Sequence, residues 1–142
     1  MARDDLIVLA RSTAAAHGLD PVVVCAVAEQ ESDWNPWAVR FEPAFYKKYT
    51  QPMHLTDTEE YTRAISFGLM QIMGEVAREL GLTAPFLSIL CDPAAGLEYG
   101  CRHLANKLRN AGGDVAAALL HYNGGGNPNY PAEVLARKVH YL

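Results

Sequence analysis

Apolar residues recur at helical spacing from the start of the chain. Leu6, Ile7, Leu9, Ala10 and Ala14 mark one face of a helix over residues 4–16, and His17-Gly18 supplies its stop. Asp20-Pro21 opens a second, nearly continuous apolar run from Val22 to Ala28, with aspartate as the cap and proline in the first turn. A run of valines also suits a buried strand. The length of the run and its polar end, Glu29-Gln30-Glu31-Ser32, favour a helix, which Asn35-Pro36 breaks. Residues 37–56 show no period, yet Phe41, Phe45, Tyr46 and Tyr49 make disorder a poor reading. An ordered irregular stretch of that length is typically a functional loop.

Beyond it, Asp57-Thr58-Glu59-Glu60 places acids in the first turn of a helix. Ser66-Phe67-Gly68 leads into an apolar helix predicted over 69–80 and ended by Gly81. Asp92-Pro93 starts a long helix reaching Asn110, stopped by Gly112-Gly113, and Asp114 caps another that runs to about Tyr122. Asn123-Gly124-Gly125-Gly126-Asn127-Pro128 cannot continue a helix, and Pro131 opens a terminal one. The expectation is a single all-α domain over residues 1–142, mainly helical, without repeats, linkers or low-complexity tracts.

Composition narrows this picture more by exclusion than by assertion. A chain of 142 residues, half of them apolar and a fifth charged, can bury a true core. A formal charge of −4 and the lack of a basic stripe give no support for nucleic-acid binding, so attraction to an anionic polymer must be local. Three cysteines are too few for a disulfide framework; Cys25 reads as a small core residue, while Cys91 and Cys101 are left open as a pair. No cysteine or histidine spacing suggests a metal site, and His17, His54, His103, His121 and His140 are scattered without a partner acid at useful spacing. Asp4 and Asp5 precede only a short apolar run, so the N-terminus resembles neither a signal peptide nor a membrane span.

Glu31 carries the chemistry. Three and four residues before it lie Ala28 and Val27, so it continues the apolar face of its helix, while Glu29 sits about 200° away around the axis. Burial and the negative end of the helix dipole both disfavour the carboxylate and push its pKa upward, as a general acid near neutral pH requires. Two further clusters are candidates for the same cleft. Gly68-Leu69-Met70-Gln71-Ile72-Met73 combines close backbone approach with a planar amide. His121-Tyr122-Asn123-Gly124-Gly125 places a phenol and an amide where a helix breaks. Amides, phenols and aromatic faces suit sugars. Singly, each has an ordinary explanation: a solvated helix end, core methionines, a helix stop.

Taken in order, Glu31-Ser32, Gly68-Leu69-Met70-Gln71-Ile72 and Tyr122-Asn123-Gly124-Gly125 resemble the soluble lytic transglycosylase (SLT) family, relatives of goose-type lysozyme. Glu31-Ser32-Asp33-Trp34-Asn35-Pro36, Asp92-Pro93 with Gly96 and Gly100, and Tyr130 with Val134-Leu135 extend the likeness over residues 20–142. His121 and Gly124 stand where the family commonly has alanines. Residues 37–63 are longer than its usual spacer; similar spacers occur in phage-type lysins and muramidases.

The resemblance implies a lysozyme-like fold with a substrate cleft and a peptidoglycan substrate, cleaved between N-acetylmuramic acid and N-acetylglucosamine. Glu31 would act as sole acid and base, leaving a 1,6-anhydro ring. Ser32 and Gln71 would orient the acid or substrate, Met70 would line the cleft with backbone and side chain, Tyr122 would sit near the acid or the substrate acetamido group, Asn123 would shape the loop and Tyr130 would close the opposite wall. A goose-type hydrolase is the nearest rival and needs a second carboxylate, Glu42 or Asp33; for Glu42, pairing with Arg40 is an equally good account. An inactive glycan-binding module is the other. The resemblance implies no metal or organic cofactor, a monomer, and action in the periplasm or on the cell wall. Without a leader in view, that location calls for phage-type or specialised export, or a trimmed leader.

Overall fold

The computed structural model describes residues 1–142. Eight α-helices dominate: α1 Arg3–Ala16, α2 Pro21–Ser32, α3 Pro43–Phe45, α4 Asp57–Arg63, α5 Gly74–Glu79, α6 Pro93–Asn110, α7 Val115–Tyr122 and α8 Tyr130–Ala136. Three aspartates start helices as their positions in the sequence imply. Asp20, Asp92 and Asp114 accept hydrogen bonds from the backbone N–H of Val22, Ala95 and Ala117, at 2.9, 3.1 and 3.1 Å.

The helix expected over 69–80 is shorter than predicted. The chain instead forms a three-stranded antiparallel sheet in the order β1 (Val39–Phe41), β2 (Ile65–Phe67), β3 (Ile72–Met73). Val39 pairs with Phe67, and Ser66 with Met73. Between β2 and β3, Gly68 (φ 77°) and Gln71 (φ 50°) hold left-handed conformations that no helix contains. Gly68 is required there twice over, because a Cβ would also sit 2.5 Å from the Leu90 carbonyl oxygen.

Two cores flank the sheet. The larger packs α1, α2, α6, α7 and α8 around Val24, Val27, Leu69, Met70, Leu97, Leu119 and Val134. The smaller lies under the sheet and α5, around Phe67, Ile72, Leu87 and Leu90. Residues 46–50 form a π-helical turn and 51–53 a 3-10 turn, so the aromatic segment is ordered. Cys25, Cys91 and Cys101 are buried and free, which answers the open question of a 91–101 bridge. No helix is long and apolar enough to cross a membrane.

Candidate active site

Helix α2 runs through the larger core with every residue from Val23 to Glu29 buried, and Glu31 emerges half-buried from its last turn. The helix stops because Asp33 (φ 48°) and Trp34 (φ 64°) both turn left-handed. That reversal sends the Trp34 indole inward, where its Nε1–H donates to the Tyr141 hydroxyl at 2.8 Å.

Three hydrogen bonds assemble the clusters around Glu31. The Ser32 hydroxyl donates to the Leu69 carbonyl at 2.9 Å, which ties the end of α2 to the turn between β2 and β3. The Tyr122 hydroxyl, arriving from α7, donates to the Met70 carbonyl at 2.6 Å. The Tyr130 hydroxyl, at the start of α8, donates to Glu31 Oε1 at 2.6 Å. The Gln71 amide donates to the carbonyls of Ala38 (2.9 Å) and Gly68 (3.0 Å), leaving its oxygen without a protein donor.

Of these groups, Glu31, Gln71 and Tyr122 line a cleft of about 400 Å³ between the sheet and helices α6 and α7. Tyr130, expected to close the opposite wall, is instead buried in the larger core and reaches the site only through Glu31. Arg40, Glu42, Ser66 and Gln71 line one side, and His103, Lys107, Tyr122 and Asn123 the other. Burial raises the Glu31 pKa; the Tyr130 hydrogen bond and the Arg40 charge pull the other way without cancelling it. Burial and the nearby Glu31 charge push Tyr122 and Tyr130 far above the ordinary phenol range, so both stay protonated. His103 is pushed down to about 4 by burial and by Lys107, so it is neutral at neutral pH. No cluster of three or more metal-ligating side chains occurs.

A family model described as the transglycosylase SLT domain matches residues 9–138. The chain belongs to that family. A relative named "Transglycosylase", from Enterobacteria phage PRD1, is 29% identical over 132 residues, covering 87% of this chain and 39% of its own length. The chain thus spans about two fifths of that relative. No solved structure matches.

Within this SLT domain, several side chains lie elsewhere than expected. The Met70 side chain does not line the cleft: it is fully buried, with Sδ 4.0 Å from the Cys101 sulfur, and only its carbonyl serves the site. Ser32 points to backbone, to Ala28 and Leu69, rather than to the acid. Asp33, offered as a second carboxylate, is 81% exposed beside Arg3 and lies outside the cleft lining. Its left-handed backbone turns it away. Glu42 does line the cleft and is paired with Arg40 at 3.1 Å.

Two histidines do have partner acids, from distant parts of the chain: His17 with Glu98 and His140 with Glu29, both at 3.0 Å. The sequence alone does not mark Lys107, Phe45 or His103 as cleft residues. The i, i+4 spacing of His103 and Lys107 on one helix face is the available signal for that wall.

The largest surprise is Glu29. It is 7% exposed and holds together both chain ends, accepting from Arg137 at 2.7 Å, Tyr141 at 2.8 Å and Arg3 at 3.4 Å. Arg137 also donates to Gln30 at 2.6 Å, and Gln30 to Glu133 at 3.2 Å, which fastens α8 and the turn after it along α2. Tyr130 on α8 is therefore set against Glu31 by an anchored helix rather than by a loop.

Proposed function

We propose that this domain is a peptidoglycan lytic transglycosylase, with Glu31 as its single acid and base. The observation that carries the reading is one carboxyl group with a raised pKa, half-buried in a sugar-sized cleft and touched by a phenol that stays protonated.

Protonated Glu31 donates to the glycosidic oxygen as the bond from the muramoyl C1 breaks and positive charge develops on that ring. The carboxylate left behind is the form that the Tyr130 hydroxyl and Arg40 stabilise. It then accepts the proton of the muramoyl 6-hydroxyl as that oxygen bonds to C1, closing the 1,6-anhydro ring. Proton donor and acceptor are the same residue, so no second carboxylate is needed. The acetamido group of the substrate assists at C1. Gln71 Oε1 and the Asn123 side chain, neither of which bonds a protein atom, offer polar contacts for substrate hydroxyl and acetamido groups.

A hydrolytic reading keeps one specific support, the presence of Glu42 in the same cleft, where it would activate water on the opposite face of the ring. Muropeptides released from purified sacculi, weighed by mass spectrometry, separate the two. Anhydro products from the wild type and from Glu42→Gln support the transglycosylase. Products one water heavier, lost in Glu42→Gln, establish the hydrolase. Glycan binding without release by the wild type would identify a binding module instead.

A further inference from the structure

Residues 43–53, inside the long aromatic stretch, fold as α3, a π-helical turn and a 3-10 turn in succession. The segment is firmly seated. Tyr46 stacks on Tyr61 at 4.6 Å with an interplanar angle of 11°, Phe41 packs against both rings, and Thr50 is fully buried. A π turn adds one residue per hydrogen-bonded ring and rotates the residues C-terminal to it, so such turns recur where a side chain must be re-aimed. Here Phe45 and Tyr49 end on the same side, with ring centroids 4.8 Å apart.

Those two rings border a second hollow of about 670 Å³. It is continuous with the acid cleft, because Arg40, Glu42, Phe45, Met73 and Asn123 line both. Lys48 also lines it, with Nζ 5.2 Å from the Tyr49 ring centre and no carboxylate in salt-bridge range. Tyr49 is 48% exposed. An open aromatic pair topped by an unpaired cation, in a chain of net charge −4, is a local site for a ligand with a flat apolar face and a negative group.

We infer that this segment builds an additional subsite, in which Phe45 and Tyr49 stack on the ring of a glycan unit beyond the cleaved bond. Lys48 pairs with a carboxylate of the peptide carried by that unit. The inference rests on the transglycosylase reading and adds to it a preference for long, peptide-bearing strands.

The test compares the wild type with Tyr49→Ala and Lys48→Ala, both exposed positions away from the acid, after thermal melting has matched their stability. Substrates are peptide-bearing glycan strands, the same strands with their peptide carboxylates converted to neutral amides, and short saccharide fragments spanning only the cleaved bond. Tyr49→Ala is expected to raise KM on both long substrates about threefold to tenfold, with short fragments unchanged. Lys48→Ala is expected to raise KM only on strands whose peptide carboxylates are free, and that difference should fade in high salt. Variants indistinguishable from the wild type on long strands overturn the subsite while the transglycosylase reading stands. Equal losses on short and long substrates overturn it too, since they report a distorted cleft. A wild type that cleaves none of the substrates removes the reading and the subsite together.

Discussion

Glu29 and Glu31 leave α2 two residues apart, on faces about 200° from one another, and meet different surroundings. Burial works against ionisation at both. At Glu29, hydrogen bonds from Arg137, Tyr141 and His140 overcome it, and the pKa falls below the usual range. At Glu31, one phenol and a more distant Arg40 do not, and the pKa rises. The more buried of the two acids by surface area is therefore the one whose pKa is lowered. Partners decide the direction of the shift, and burial only sets how many are needed to reverse it. A structural acid and a chemical acid can then share one helix turn, with the first anchoring the helix α8 that delivers Tyr130 to the second.

Substitution should separate these roles. The largest effect is expected from Glu31→Gln, which should lower turnover roughly 100- to 10,000-fold, the usual worth of a positioned acid. It should also raise the melting temperature at neutral pH. A carboxyl whose folded pKa is raised weakens the fold above that pKa and not below the unfolded value. The gain should therefore vanish as pH falls below about 4, and thermal melts across pH check it.

Glu29→Ala should do the reverse, costing about 2 kcal/mol at neutral pH in urea unfolding. That lies below the usual cost of breaking a buried pair, because Arg3, Arg137 and His140 reach water once released. A lowered folded pKa contributes stability above the unfolded value and loses it as pH falls through the folded one, so wild type and variant should converge in acid. A turnover loss in Glu29→Ala matching that of Glu31→Gln would break the division of labour.

Tyr130→Phe is milder. Losing the hydrogen bond that favours the carboxylate should raise the Glu31 pKa further and move the alkaline limb of the pH–rate profile upward. The smallest change in activity is expected from Gly100→Ala. Its Cβ would meet Met70 Sδ at 2.5 Å, costing about 1–3 kcal/mol of stability by overpacking while disturbing the site only through the Met70 carbonyl.

Helix starts were legible because an aspartate cap and the backbone N–H that donates to it lie two or three residues apart, as at Asp20, Asp92 and Asp114. The order of the three clusters was legible for the same reason: each is a short word. What failed was whatever depends on distant partners. Leu69, Met70, Ile72 and Met73 have helical spacing, yet Ser32 and Tyr122 claim the carbonyls of Leu69 and Met70, and Gly68 donates to the Ala38 carbonyl. Those tertiary bonds hold the turn open against local preference. Strands of two and three residues leave too little alternation to detect. Glu29 meets Arg137 and Tyr141 across 108 and 112 residues, a pairing no local pattern announces.

The three unpaired thiols have a practical consequence. Burial pushes Cys25 up to about 11 and Cys101 to about 12, so neither is a nucleophile while the domain is closed. An alkylating reagent meets them only when the larger core parts, and its uptake becomes a clock for opening events. No disulfide constrains the unfolded chain, so that clock can run in a reducing buffer without changing what it times.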